Sequence, residues 1–267
     1  MSKTLKVLLL GDVVGQPGCR ALFMGLPSIV KKTHCDLVIA NGENAADGFG
    51  MTPELVASFF KSGVDVITSG NHIWQRREIL PLLESEDRLL RPENYPLGVA
   101  GKGLCLVGRR EIQVAVLNLE GRVQLADLRC PFTVGKETVR RLKGKAQCIV
   151  VDFHAEVPEE KEALAMYLDG QISALVGTHT HVQTADERIL KGGTGYITDV
   201  GMTGPMDSVI GMNQESSINR GLMQIPFKME VKEAPPVMMG VLLEIDPGTG
   251  KTVAIERLRH EFLALQA

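Results

Sequence analysis

No cysteine pair, no apolar run of membrane length and no excess of positive charge marks this 267-residue chain. Its five cysteines (Cys19, Cys35, Cys105, Cys130 and Cys148) are scattered, with no Cys-x-x-Cys among them. An odd, unpaired set argues against a disulfide framework or a thiolate metal cage. It fits reduced cysteines used as small apolar side chains in a cytoplasmic protein. The opening MSKTLKVLLLGD begins basic, but its apolar run is too short for a secretory signal and ends at Asp12. No segment approaches the roughly 20 apolar residues of a membrane span, so no membrane partner is expected. The net charge of −3 excludes non-specific nucleic-acid binding through a broadly basic surface and leaves room only for a local basic pocket. Internal repeats, low-complexity tracts and a nucleophilic Gly-x-Ser-x-Gly elbow are also lacking.

Two glycine-rich stretches imitate nucleotide motifs and fail. DPGTGKT (246–252) has Ile245 where a phosphate-binding loop requires glycine, and it lies between two strand patterns rather than opening a helix. A hairpin turn explains it better. GDVVGQPG (11–18) follows a strand, but its glycines at 11, 15 and 18 do not fit the dinucleotide fingerprint, and Asp12 would repel a pyrophosphate.

What is present is ordinary globular composition, 44% hydrophobic and 23% charged, with no linker to divide it. One domain over 1–267 is expected. Strand-like runs alternate with helical stretches. LKVLLLGD (5–12), DLVIANGEN (36–44) and VDVITSGNH (64–72) read as buried strands. Residues 18–34 read as a helix that Pro27 kinks or breaks. Residues 52–63 read as a helix with Thr52 as N-cap, Pro53 in the first turn and Gly63 just past its end. Short helices are expected over 76–85 and 137–143, and a longer one over 158–170. Residues 102–121 read as an antiparallel pair turning near Gly108–Arg110. AQCIVVDFHAE (146–156) and ISALVGTHTHV (172–182) are further strands, and a hairpin closes the chain around 246–250. The pattern predicts a layered α/β fold with mixed sheets. Residues 201–222 form the longest stretch without clear periodicity, as in a functional loop.

The chemistry gathers at strand ends. Asp12 ends the first strand, Glu43 and Asn44 the second, and Asn71 and His72 the third. His154 ends the strand at 146–153, and His179 and His181 follow the strand at 172–178. Carboxyl ends of parallel strands form one ligand-binding rim, so these groups can converge. Four of the six histidines lie there; His34 and His260 have bland readings at a helix end and near the C-terminus. Any one of these residues could be structural, Asp12 as a cap, an asparagine as a turn brace, His154 as a core histidine. Together, carboxylates, carboxamides and imidazoles suit manganese, iron or zinc. They are too many for one tetrahedral zinc and fit two adjacent divalent ions.

GD (11–12), GEN (42–44), GNH (70–72), DFHAE (152–156) and GTHTH (177–181) together resemble the calcineurin-like metallophosphoesterases, and more narrowly their YmdB-like bacterial branch. The resemblance runs from VLLLGDVVGQPG to GYITDVGMTGPMDSVIG. Val14 stands where most of the wider family has a histidine, and Gly-Glu-Asn replaces Gly-Asp; both departures match the narrower branch. The resemblance implies a four-layer α/β/β/α sandwich with two mixed β-sheets. It implies two divalent metal ions, iron or manganese first and zinc as the alternative. Asp12, Asn44 and His181 would hold one ion, Asn71, His154 and His179 the other, and Glu43 would bridge them. His72 would be the general acid, since an imidazole can protonate a leaving alkoxide near neutral pH. The implied reaction is attack by a metal-bridging hydroxide on a phosphodiester, with 2′,3′-cyclic nucleotides first and 3′,5′-cyclic ones second. Homo-oligomers are also implied.

Two other functions compete. A phosphomonoesterase or 5′-nucleotidase would use the same site, because substrate choice lies in loop shape; residues 201–222 and Tyr95 are the expected loop contacts. A metal-binding regulatory or RNA-associated protein with slight hydrolytic activity would keep the ions and dispense with His72.

Overall fold

The computed structural model describes residues 4–262; the basic residue at the chain start, Lys3, lies outside them. In chain order the elements begin with β1 (Leu5–Leu10), β2 (Asp12–Val13), α1 (Gly15–Thr33), β3 (Leu37–Asn41), α2 (Pro53–Lys61), β4 (Val66–Thr68) and α3 (Leu80–Ser85). They continue with β5 (Leu104–Arg109), β6 (Ile112–Glu120), α4 (Pro131–Leu142), β7 (Cys148–His154), α5 (Pro158–Leu168) and β8 (Ala174–Thr178). The last are β9 (Arg188–Ile189), β10 (Gly195–Ile197), β11 (Met202–Pro205), α6 (Gln214–Met223), β12 (Pro236–Asp246) and β13 (Lys251–Glu261).

Two mixed sheets result. One runs β2-β11-β12-β1-β3-β4 with β13 on the far side of β12, the other β5-β6-β7-β8-β10-β9. In the first, β1, β3 and β4 are parallel; in the second, β6, β7, β8 and β10 are. The period-2 alternation of the strands sorts the side chains into three apolar layers. Leu5, Val7 and Leu9 pack with Val114, Val116, Val150 and Val176 between the sheets. Leu8 and Leu10 point the other way, onto Leu22 and Leu26 of α1 and Phe59 of α2. Leu117, Val151 and Phe153 point away from the first sheet, onto Val134 and Val139 of α4 and Leu164 and Leu168 of α5. Three apolar interfaces separate four layers, so the fold is the α/β/β/α sandwich. Strands covered on both faces explain the near-continuous apolar runs.

Several boundaries differ from expectation. α1 begins at Gly15 and runs unbroken through Pro27. Packing of one face on the sheet outweighs the single hydrogen bond that proline removes. α4 starts at Pro131, six residues before the predicted helix, and buries Pro131, Val134 and Gly135 in the process. Residues 77–79 form a 3₁₀ turn ahead of α3. Residues 201–222 are not one loop: β11 and most of α6 fall inside them. α6 was illegible because no residue of it is buried, so it has no core-facing stripe to read. The 246–250 stretch is the β12–β13 turn. Thr52 caps α2 by accepting the Leu55 N–H at 3.4 Å.

Some strand ends approach so closely that only glycine fits. A Cβ on Gly177 would lie 1.8 Å from the Thr198 carbonyl oxygen. Gly177→Ala should therefore cost about 1–3 kcal/mol, read as a lower urea midpoint at unchanged slope. Gly221→Ala is the control, since a Cβ there meets nothing within 4 Å and the position is helical; its midpoint should hold or rise.

Candidate metal centre

Parallel register brings the strand ends to one rim: Glu120, His154 and Thr178 lie side by side across β6, β7 and β8, and Asn41 lies beside Thr68 across β3 and β4. Below the rim, Asp152 ties the two sheets together. It accepts from Asn41 Nδ2 at 3.2 Å, from Thr178 Oγ1 at 2.7 Å and from the Thr68 hydroxyl. Burial pushes its carboxyl up to about 6.

Above that tie, Glu43, His154 and His179 converge, with one donor atom of each within 4.8 Å of the others. His154 Nε2 is 2.9 Å from Glu43 Oε1 and 3.0 Å from His179 Nδ1. Asp12 joins from β2: its Oδ2 accepts the His179 N–H at 3.1 Å, and its Oδ1 lies 3.7 Å from His154 Nδ1. Asn44 Oδ1 is 3.3 Å from His181 Nε2, and Asn44 Nδ2 reaches His72 Nδ1 at 3.2 Å. His72 Nδ1 is also 3.3 Å from Glu43 Oε1. Asn71 follows Gly70, on which a Cβ would meet Glu43 and His154 at 2.1–2.3 Å. All eight residues singled out in the sequence therefore lie at this rim. Glu43, His154 and His179 form the tight centre, Asp12, Asn44, His181 and His72 adjoin it, and Asn71 is placed by its neighbour rather than by a hydrogen bond through Oδ1.

The imidazoles are oriented as ligands require. His154, His179 and His181 each have one nitrogen tethered from outside and the other turned inward, the arrangement that fixes tautomer and ring plane. Thr178 Oγ1 donates to Asp152 and stands 2.9 Å from His154 Nδ1, so it accepts the Nδ1 proton and leaves Nε2 inward. Glu156 Oε2 lies 2.9 Å from His179 Nε2, leaving Nδ1 inward. The Ile210 carbonyl lies 2.8 Å from His181 Nδ1, leaving Nε2 inward. Asp12 Oδ1 and Asn71 Oδ1 are buried with no hydrogen-bond partner among the described residues. Buried orphan oxygens are rare and invite an ion. The donor set fits divalent cations with mixed nitrogen and oxygen preference.

Electrostatics divides the cluster. Burial opposes ionisation of Glu43, but the adjoining His154 and His72 outweigh it and hold its carboxyl well below the usual range. Burial alone would lower His154; the Glu43, Asp12 and Asp152 carboxylates raise it to about 9. Burial and the neighbouring His154 push His179 down to about 3. Burial raises Asp12.

The rim opens into a cavity of about 700 Å³ whose lining includes Phe49, His72, Glu156, His179 and His181. The 201–222 stretch contributes Val209, Ile210, Met212, Ser217 and Arg220 to its wall, as expected of that stretch. Tyr95 is not part of the lining; its ring packs edge-on against Trp74, 5.1 Å between centroids. Sequence reasoning missed Thr178 and Glu156 as tethers, although both belong to motifs that caught attention. Their roles depend on which ring nitrogen they face. It also missed Glu120, which is fully buried beside His154 with neither carboxylate oxygen within hydrogen-bond geometry of a partner among the described residues.

The arrangement of layers and rim defines the protein's class: a metallophosphoesterase-type α/β/β/α sandwich. The family model described as "YmdB-like protein" matches residues 8–258, and the chain belongs to that family. It is 44% identical to the 2′,3′-cyclic-nucleotide 2′-phosphodiesterase of Bacillus subtilis (strain 168), over 95% of this chain and 96% of that protein. Among solved structures it is similar to a hypothetical protein from Thermus thermophilus, with TM-score 0.91, 39% identity, and 96% and 99% of the two chains covered. It is also similar to a phosphatase from Mycoplasma pneumoniae, with TM-score 0.92, 35% identity, and 98% and 95% covered.

Burial raises Glu120 to about 7. The folded state then binds more protons than the unfolded state between pH 4.5 and 7, so this contribution is fully present below that window and is lost as pH rises through it. In metal-free protein, Glu120→Gln should stabilise the fold at pH 8 by on the order of 2 kcal/mol and change little at pH 4.5. Urea titrations at the two pH values check the sign.

Proposed function

We propose that the chain is a metal-dependent phosphodiesterase whose substrates are 2′,3′-cyclic nucleotides, with 3′,5′-cyclic nucleotides in second place. The single observation that carries this is the set of three imidazoles, His154, His179 and His181, each with one nitrogen tethered from outside and the other turned into the cluster around Glu43 and Asn44, at the floor of an open cavity. The relative from Bacillus subtilis supplies the substrate class. Asp12, Asn44 and His181 would hold one divalent ion and Asn71, His154 and His179 the other, with Glu43 between them. Iron or manganese is favoured and zinc is the alternative. Such a pair supplies charge stabilisation at the phosphoryl oxygens and an activated water at neutral pH.

The chain's own groups do the rest. His72 lies at the cavity wall, half-buried, with its ring edge-on to Phe49 at 5.1 Å. His72 Nδ1 faces Glu43 Oε1 at 3.3 Å, which leaves Nε2 for the substrate. As the imidazolium, His72 would give its Nε2 proton to the leaving 2′ oxygen as water adds to phosphorus and the P–O2′ bond breaks; the ring is left neutral and a 3′-phosphate remains. Arg220 is the one Lys or Arg among the lining residues, and it faces the anionic substrate. Phe49, Ile210, Met212 and Met229 offer apolar surface to base and ribose. No helix among the described residues is long and apolar enough to cross a membrane. The reading includes a cytoplasmic homo-oligomer with an RNA-related partner.

The test is anaerobic purification with elemental analysis, then hydrolysis of 2′,3′- and 3′,5′-cyclic nucleotides, bis-p-nitrophenyl phosphate and monoesters. His72→Ala should lower kcat by roughly 10²–10⁴-fold with metal content unchanged. Loss of metal instead would make His72 a ligand, and unchanged kcat would remove it from the chemistry. Arg220→Ala should raise KM for the cyclic nucleotides about tenfold, the loss of one charged hydrogen bond.

Metal uptake should also release protons. With His154 raised to about 9 when the site is metal-free, its imidazole is protonated at pH 7, and coordination through Nε2 must displace that proton. Apparent affinity for manganese should therefore climb with pH up to about 9 and level off above it. Calorimetry in buffers of different ionisation enthalpy counts the protons released.

A further inference from the structure

The loop from Gly177 to His181 adopts a backbone that side-chain-bearing residues seldom take. His179 has φ 101° and His181 φ 66°, both left-handed. Two such residues one position apart persist only where the surroundings hold them. Besides Asp12, which accepts the His179 N–H, the hold comes from a buried ion pair. Lys161, on α5, and Asp199, after β10, are 0% and 1% exposed. Lys161 Nζ donates to the Thr178 carbonyl and to Asp199 Oδ2, both at 2.8 Å. The same Asp199 oxygen accepts the Thr180 N–H at 3.1 Å. The pair thus grips the carbonyl just before His179 and the amide between the two histidines. Asp199 is itself anchored, its Oδ1 accepting the Gly201 N–H at 2.9 Å and its own N–H donating to Thr184 Oγ1 at 3.0 Å. Gly177 leaves room for the lysine stem: a Cβ there would lie 2.8 Å from Lys161 Cδ.

A buried ion pair is a poor way to stabilise a fold, because apolar residues of similar size usually do as well. Its use at this place calls for a different reason. We propose that Lys161 and Asp199 are positioning residues for the metal centre: they clamp the left-handed loop so that the inward nitrogens of His179 and His181 meet the cluster, and they set cation affinity rather than fold stability. This rests on the metal reading above.

Two variants separate the effects. Lys161→Met leaves a buried carboxylate uncompensated and should lower both the urea midpoint and the affinity for manganese(II). The double variant Lys161→Met, Asp199→Leu replaces the pair by apolar bulk. It should recover most of the midpoint while manganese affinity, measured by competition with a chelator, stays at least about tenfold below wild type. Lys161→Arg, which keeps a cation, should bind manganese more tightly than Lys161→Met, and that difference decides the matter if the double variant does not fold. The inference is overturned if the folded double variant binds within about twofold of wild type. It is equally overturned if Lys161→Arg and Lys161→Met bind alike. A wild-type protein that takes up no manganese would overturn the metal reading itself, and this inference with it; binding by wild type and variants alike would overturn this inference alone.

Discussion

His154 sits with no exposed surface between two carboxylates and a second imidazole, its Nε2 within 2.9 Å of Glu43 and 3.0 Å of His179. Three titratable groups in that space cannot all take their ordinary charge states away from water. The protein resolves the crowding unevenly, with Glu43 ionised, His154 raised to about 9 and His179 lowered to about 3. Divalent cations would resolve it more completely, since they satisfy the inward nitrogens, Glu43 and the orphan oxygens of Asp12 and Asn71 together. The outward tethers, Thr178, Glu156 and the Ile210 carbonyl, make sense as the fixed side of that arrangement.

The scaffold is organised to bear this cost. Two sheets meet through an apolar layer, and their parallel strands end at the same rim. Asp152 ties the strand ends of both sheets through Asn41, Thr68 and Thr178. Gly70 and Gly177 sit where any side chain would collide with the cluster or with neighbouring backbone. Buried packing is therefore concentrated under the site, and exposed structure above it. α6 buries none of its residues, yet it supplies Ser217 and Arg220 to the cavity wall. That division suits a hydrolase core whose substrate preference is set by a lightly packed wall.

The strand ends were legible because alternation and apolar run length are local signals, and because each buried run stopped at a carboxylate, a carboxamide or an imidazole. The hairpins around 110 and 248 were legible from their turn residues. The N-cap at Thr52 was legible from the Thr-Pro-Glu sequence. Pro27 misled because propensity is local and the packing of α1 is not. α6 was missed because it is only ten residues long and buries none of them, so Ile218 and Leu222 do not extend into a sustained core-facing stripe, and Tyr95 was misplaced because nothing in its neighbourhood says that its ring turns toward Trp74.

By itself, the sequence determined the donor types, their order along the chain and their place at the ends of buried strands. These follow from backbone periodicity and turn chemistry, which act over a few residues. Only the tertiary structure decided which nitrogen of each imidazole faces inward, that Glu156 and Lys161 reach the GTHTH loop, and that Arg220 overlooks the cavity. Those facts depend on side chains from separate elements meeting, such as Asn41 with Asp152 or Asn44 with His181. A contact of that kind leaves no periodic trace, because its partners are related by the packing of two sheets and not by spacing along the chain.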